Sequence, residues 1–171
     1  MGRLMGECAR RLEDAGAAGL VICSNTMHRL TDDIAAATRI PLIHIADATN
    51  AAIRKAGLDT IGLLGTRYTM ELDFYRGRLE KAHGLKVLVP DEAGRTAVHN
   101  IIYRELTYGT VKDESRRSYV EIIRGLVGRG AQGVILGCTE IPLLIKEKDS
   151  PVPVFDTTAL HARAAVDFAL S

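Results

Sequence analysis

Two of the three cysteines in this 171-residue chain, Cys23 and Cys138, close matching segments. Gly16-Ala17-Ala18-Gly19-Leu20-Val21-Ile22-Cys23 is echoed by Gly130-Ala131-Gln132-Gly133-Val134-Ile135-Leu136-Gly137-Cys138, the two registers differing by one residue. Each apolar run is too short for a helix and is bounded by glycine, which reads as a buried parallel strand with the cysteine at its C-terminal end. In open parallel sheets ligands bind beyond those ends. Two thiols facing one another across a cleft suit the inversion of a carbon that bears an acidic hydrogen. One sulfur, as thiolate, takes the proton from one face, and the other, as thiol, delivers a proton to the opposite face. Hydroxyl and amide residues follow each cysteine at a predicted helix start, where exposed N–H groups favour a thiolate and can hold a carboxylate. A single strand-end cysteine would read as packing, since cysteine is among the most buried residue types; the pairing argues for chemistry. Cys8 has no counterpart in the repeat and reads as packing or surface.

The elements that must position these residues alternate strand and helix. A helix from Leu4 to Ala15 stops at Gly16, and Gly19 to Cys23 is a strand. Ser24-Asn25-Thr26 offers caps for a helix through roughly Ala37, Pro41 to Ile45 is a strand, and Asp47-Ala48-Thr49 starts a helix that stops at Gly57. Thr60 to Leu64 is a strand ending in the turn Gly65-Thr66, followed by a helix from about Thr69 to Ala82 and a strand at Lys86 to Val89. Helices at Ala97 to Leu106 and Ser115 to Arg129, strands at Gly133 to Leu136 and Pro153 to Phe155, and a helix from Thr158 complete an α/β pattern with parallel sheets.

Ile40-Pro41-Leu42-Ile43 is matched by Val152-Pro153-Val154-Phe155, each followed by an Asp and an Ala-rich helix, so the repeat extends beyond the cysteine strands. Two pseudo-symmetric lobes are expected: residues 1–56 joined by the C-terminal helix at 157–171, and residues 57–156. The second half carries a strand, a helix, a further strand and helices ahead of its cysteine strand, whereas the first carries one helix. The first lobe is therefore expected to lack roughly fifty residues at its N-terminal side, about a strand, a helix and a strand.

Composition narrows the function. Hydrophobic residues make up 47% and charged residues 25%, the mix of a soluble globular domain. The 22 basic and 21 acidic residues leave a formal charge of +1, and no basic stripe interleaved with aromatics is present, so no nucleic-acid partner is expected. Apolar runs such as Ile40 to Ala46 fall far short of the roughly 20 residues of a membrane-spanning helix, and Met1 to Ala15 lacks the apolar stretch of a secretory signal. No membrane association and a cytoplasmic location are expected. Three widely spaced cysteines argue against a disulfide framework. His28, His44, His83, His99 and His161 show no ligand spacing, so no metal is expected, and His44 and His161 read as core or supporting groups. Gly62 to Gly65 matches neither a phosphate loop nor the three-glycine dinucleotide fingerprint, so no cofactor is implied.

Cys23-Ser24-Asn25-Thr26 and Gly137-Cys138-Thr139-Glu140 resemble the two signature motifs of the aspartate/glutamate racemase family. Ile43-His44-Ile45-Ala46-Asp47-Ala48-Thr49, Leu63-Leu64-Gly65-Thr66-Arg67-Tyr68-Thr69-Met70 and Asp73-Phe74-Tyr75 resemble its bacterial branch that includes broad-specificity amino-acid racemases. The likeness covers essentially the whole chain. It implies cofactor-independent interconversion of L- and D-amino acids, with Cys23 and Cys138 as the acid/base pair and Ser24, Asn25, Thr26, Thr66, Thr139 and Glu140 lining the substrate site. Lys112 falls near a substrate-binding lysine of some members, with a solvated surface lysine as the alternative. Glu140 stands where glutamate racemases usually carry His, which favours the aspartate-racemase side. The family's opening strand and Gly-Gly loop have no counterpart in the sequence, at the place where the repeat also shows a gap. The resemblance further implies a homodimer and a small-molecule amino-acid substrate. Two other outcomes stand beside this one: a related isomerase or decarboxylase of small carboxylates, and a catalytically silent chain that binds a small acid or a partner protein.

Overall fold

A computed structural model describes residues 1–171. It contains two parallel sheets. The first pairs β1 (Leu20–Val21) with β2 (Leu42–Ile43), and the second has the order β4-β3-β5-β6, built from β3 (Thr60–Gly65), β4 (Lys86–Leu88), β5 (Gly133–Gly137) and β6 (Val154–Asp156). The repeat read in the sequence reappears as register. Leu20 and Val21 sit opposite Leu42 and Ile43, as Val134 and Ile135 sit opposite Val154 and Phe155. Parallel pairing needs a crossover, and α2 (Thr31–Ala35) supplies it in the first sheet. Helix α1 (Gly2–Asp14) packs with α2 beside that sheet, and α3 (Ile45–Lys55) follows β2 and turns to the second. Around the second lie α4 (Arg67–Glu71), α5 (Glu92–Arg104), α6 (Asp113–Gly128), α7 (Ile141–Leu144) and the C-terminal α8 (Thr157–Ala169).

The main core is contributed by β3, β5 and the helices covering them, with Ile61, Leu63, Leu64, Val134 and Ile135 fully buried as expected for strands covered on both faces. Ile45, Ala46 and Ile53 of α3 belong to the same core, and α3 packs along α8. A separate small cluster of Ala9, Leu20, Ile22 and Ile34 holds α1 and α2 on the first sheet.

Four local expectations are corrected. The strand before Cys23 is two residues long, so Cys23 lies beyond it in a turn where Ser24 N–H bonds Ile22 O. The helix expected from Ser24-Asn25-Thr26 to Ala37 is a 3₁₀ turn at Thr26–Leu30 followed by α2. The next helix begins at Ile45, two residues before the expected start, because His44 Nδ1 accepts the Ala46 N–H and caps it. The helix expected from Thr69 to Ala82 is broken: α4 ends at Glu71, Leu72 is extended, and a π turn covers Arg78–Ala82. The break carries Tyr75 and Leu79 into the core, where both are fully buried.

At the C-terminal ends of β3 and β5, Gly65 faces Gly137. A Cβ at Gly65 would lie 2.8 Å from Gly137 O, and one at Gly137 would lie 2.8 Å from Leu64 O. Backbone cannot yield as a side chain would. Gly137→Ala is therefore expected to cost about 2 kcal/mol, read as a fall of roughly 6 °C in thermal midpoint; an unchanged midpoint would show that the strands part freely here.

Candidate functional site

The C-terminal ends of β1, β3, β5 and β6 carry the sequence-predicted residues, with the exception of Lys112, which lies ahead of α6. After β3, Thr66 takes an extended conformation and caps α4, its Oγ1 accepting the Thr69 N–H at 3.3 Å. Thr26, on the turn after Cys23, reaches across to this cap. Its hydroxyl lies 3.0 Å from Thr66 Oγ1 and 3.4 Å from Thr69 Oγ1, and those two hydroxyls lie 3.1 Å apart. Asn25 makes a second tie, its Nδ2 donating to Thr157 Oγ1 at 3.0 Å, while the Thr157 hydroxyl donates to Leu136 O two residues before Cys138. The loop carrying Cys23 is thus anchored to the ends of the strands that carry Thr66 and Cys138.

The two sulfurs differ in setting. Cys23 is exposed, whereas Cys138 is buried, with 9% of its surface accessible. The Cys138 thiol donates to Glu140 Oε2 at 2.9 Å. Burial, reinforced by this hydrogen bond and by the charge of the carboxylate, pushes the thiol up to about 12 against the opposing pull of the Glu140 and Thr139 backbone N–H groups. Cys138 therefore rests as a thiol, with N–H groups aimed at its sulfur that favour the thiolate once it forms. Asn25 is 3% exposed and its Oδ1 has no hydrogen-bond partner, an acceptor awaiting a donor. Ser24 and Thr139 are half-buried beside their cysteines. Lys112 precedes α6, where its ammonium lies 3.2 Å from Glu105 Oε1.

Three histidines support the Cys23 loop. His28 Nδ1 bonds Ser24 O at 2.8 Å, and its Nε2 accepts the Ile45 N–H at 3.2 Å, so one neutral ring clamps the loop to the start of α3. His44 and His161 stand 4.5 and 5.6 Å from it between ring centres, and His161 Nε2 donates to Ile43 O at 2.7 Å. Burial pushes His28 down to about 4 and His44 to about 3. Asp47 beside them accepts two hydrogen bonds of 2.7 Å from Arg78 and one from His83. Sequence reasoning missed the roles of His28 and Thr157. The spacing of four from Ser24 to His28, which returns a side chain to the preceding turn of backbone, was the available signal for the first. Thr157 stands one residue past Asp156, the position that matches His44 in the repeat, and each of these two residues caps the helix that follows its strand.

A groove of about 960 Å³ lies between α5 and α6, lined by residues including Asp91, Gly94, Ile122 and Gly125. It holds none of the residues above, and the convergent polar groups lie at the strand ends instead. No group of three His, Cys, Asp or Glu is arranged to hold a metal ion, and no helix is long and apolar enough to cross a membrane.

Comparison with known proteins bears on this arrangement. The family model described as Asp/Glu/Hydantoin racemase matches residues 3–165. A crystal structure from Yersinia pestis, assigned provisionally as an Asp/Glu racemase, is 54% identical, with a TM-score of 0.95 over 99% of this chain and 74% of that one. An aspartate racemase homologue from Pyrococcus horikoshii is 37% identical with a TM-score of 0.89, again over 99% of this chain and 74% of that one. The broad-specificity amino-acid racemase RacX of Bacillus subtilis is 23% identical over 162 residues, 92% of this chain and 67% of that protein.

Proposed function

The chain belongs to the Asp/Glu/hydantoin racemase family, and from that premise we propose that it inverts the α-carbon of a free amino acid without a cofactor, using Cys23 and Cys138. The observation that carries this reading is the pair of ties, Thr26 to Thr66 and Asn25 to Thr157, that fasten the Cys23 loop to the strand ends beside Cys138. Cys138, resting as a thiol, is the acid, and Cys23 is the base. Cys23 takes the α-proton, the electron pair spreads onto the substrate carboxylate, and the Cys138 thiol protonates the opposite face. The carboxylate is held by hydroxyls from among Ser24, Thr26, Thr66 and Thr139, and the ammonium donates to Asn25 Oδ1.

Turnover leaves Cys138 as thiolate and Cys23 as thiol, so the reverse reaction starts from the swapped pair. Glu140 acts here on the sulfur as well as beside the pocket: its carboxylate accepts the thiol's hydrogen bond and keeps Cys138 protonated until the carbanion takes the proton. Glu140→Gln is expected to lower kcat about a hundredfold. It should also make Cys138 a better nucleophile at neutral pH, because the carboxylate that opposes ionisation is gone. Rates of thiol alkylation in the parent and the variant check the second effect.

The function itself is tested by incubating the protein with amino acids in deuterated water, following loss of the α-proton signal and appearance of the opposite enantiomer. Exchange with inversion is the expected result. Turnover of maleate or an arylmalonate with no amino-acid exchange would replace this reading with another.

A further inference from the structure

The wall of lobe two beside Cys138 carries an aromatic ledge. Thr66 caps α4, so Tyr68 stands two residues past the hydroxyl that meets Thr26. α5 contributes His99 and Tyr103, one turn apart. The His99 ring lies 6.3 Å from Tyr68 and 4.6 Å from Tyr103 between centres, edge-on to the first and tilted to the second. His99 Nδ1 accepts the Arg67 N–H at 3.2 Å, which fastens the ledge to the start of α4. Tyr68 and Tyr103 nevertheless keep 44% and 46% of their surface uncovered. Tyr103 lies close enough to the site for Cys138 and Glu140 to add to the effects of burial and of Tyr68 in raising its phenol.

Arg67 and Lys112 are each paired. Arg67 Nη2 donates to Thr96 Oγ1 at 2.7 Å and its Nε lies 3.8 Å from Glu71. Lys112 is held by Glu105, which also accepts the Ser115 hydroxyl at 2.6 Å. A side-chain carboxylate placed beside Cys138 would therefore face Glu140 with neither of these cations free to pair with it, an arrangement that penalises an acidic substrate. A cationic side chain that reached Glu140 would compete with the Cys138 thiol for that carboxylate and disturb the acid of the reaction. The uncovered ring faces instead offer apolar area, and each methylene laid on such a surface is worth about a fourfold gain in affinity.

We propose that this site selects amino acids with a sizeable uncharged side chain, lying on the faces of Tyr68 and Tyr103, over aspartate and glutamate. The inference rests on the racemase reading above and assigns the substrate class of that same site.

The test combines exchange in deuterated water with titration calorimetry, using leucine, methionine, lysine, aspartate and glutamate. Leucine or methionine is expected to give kcat/KM for exchange at least roughly tenfold above both acids, and to bind correspondingly tighter. Tyr68→Ala and Tyr103→Ala should erode that preference about tenfold, through KM more than kcat, whereas Tyr68→Phe and Tyr103→Phe should retain it because the ring face is kept. A preference for an acid or for lysine, an unchanged preference in both alanine variants, or no binding of leucine and methionine overturns the proposal. Tyr-dependent binding of leucine with no exchange of any amino acid would leave the side-chain assignment standing and sink the racemase reading alone.

Discussion

Cys23→Ser and Cys138→Ser are each expected to lower racemisation by roughly 10³-fold or more, since each removes one member of the acid/base pair and a serine hydroxyl is a far weaker acid than a thiol. The two losses should differ in kind. With Cys138 replaced, Cys23 can still remove a proton and return deuterium to the same face, so the enantiomer whose α-hydrogen points at Cys23 exchanges with solvent without inverting. With Cys23 replaced, only the mirror-image enantiomer should do so, and more slowly, because Cys138 rests as a thiol. Chiral chromatography with mass detection in deuterated water reads both. Racemisation at the parent rate in both variants would remove the cysteines from the mechanism.

Acid should unfold the support of the Cys23 loop before it reaches the carboxylates that pair elsewhere. His28 and His44 are neutral in the folded chain because burial disfavours their charge, with folded values of about 4 and about 3 against an unfolded value near ~6.5. Such groups contribute stability that is fully present above pH ~6.5 and is lost as pH falls towards the folded values. His28 alone accounts for about 3 kcal/mol between neutrality and pH ~4. Protonation of its Nε2 would set an N–H against the Ile45 N–H that it now accepts. Arg78 and His161 oppose its charge and Asp47 favours it, without offsetting burial. Urea unfolding at pH 7 and pH 4.5 should show this fall, and His28→Gln should flatten it. Equal stability of the parent chain at both values would contradict the neutral clamp.

The cysteine strands were readable because a buried parallel strand leaves a short apolar run between glycines, and duplicated runs with a cysteine after each announced the lobes. Thr66 was legible as a turn after a strand though not as the cap of α4, and the paired strands of both sheets coincide with the repeated Ile-Pro and Val-Pro segments. The π turn at Arg78–Ala82 was not legible. A helical period runs through Thr69 to Ala82, and only the depth of the core at Tyr75 forces the break. The His28 clamp escaped for a related reason: both of its partners are backbone groups, Ser24 O and Ile45 N–H, and backbone atoms carry no sequence signature. Glu140 was legible as a residue beside Cys138, but its hydrogen bond to the sulfur was not, because spacing alone does not tell which way a carboxylate beside a thiol will turn.

The three threonine hydroxyls that join the Cys23 loop to α4, Thr26, Thr66 and Thr69, sit in mutual reach, and although Thr66 Oγ1 also accepts the Thr69 N–H, its second lone pair leaves donor and acceptor roles around the triangle open. Rotating three O–H bonds reverses the polarity of the triangle while every oxygen stays in place. The tie that holds the Cys23 loop to α4 can therefore reverse its direction of hydrogen bonding with no side chain moving.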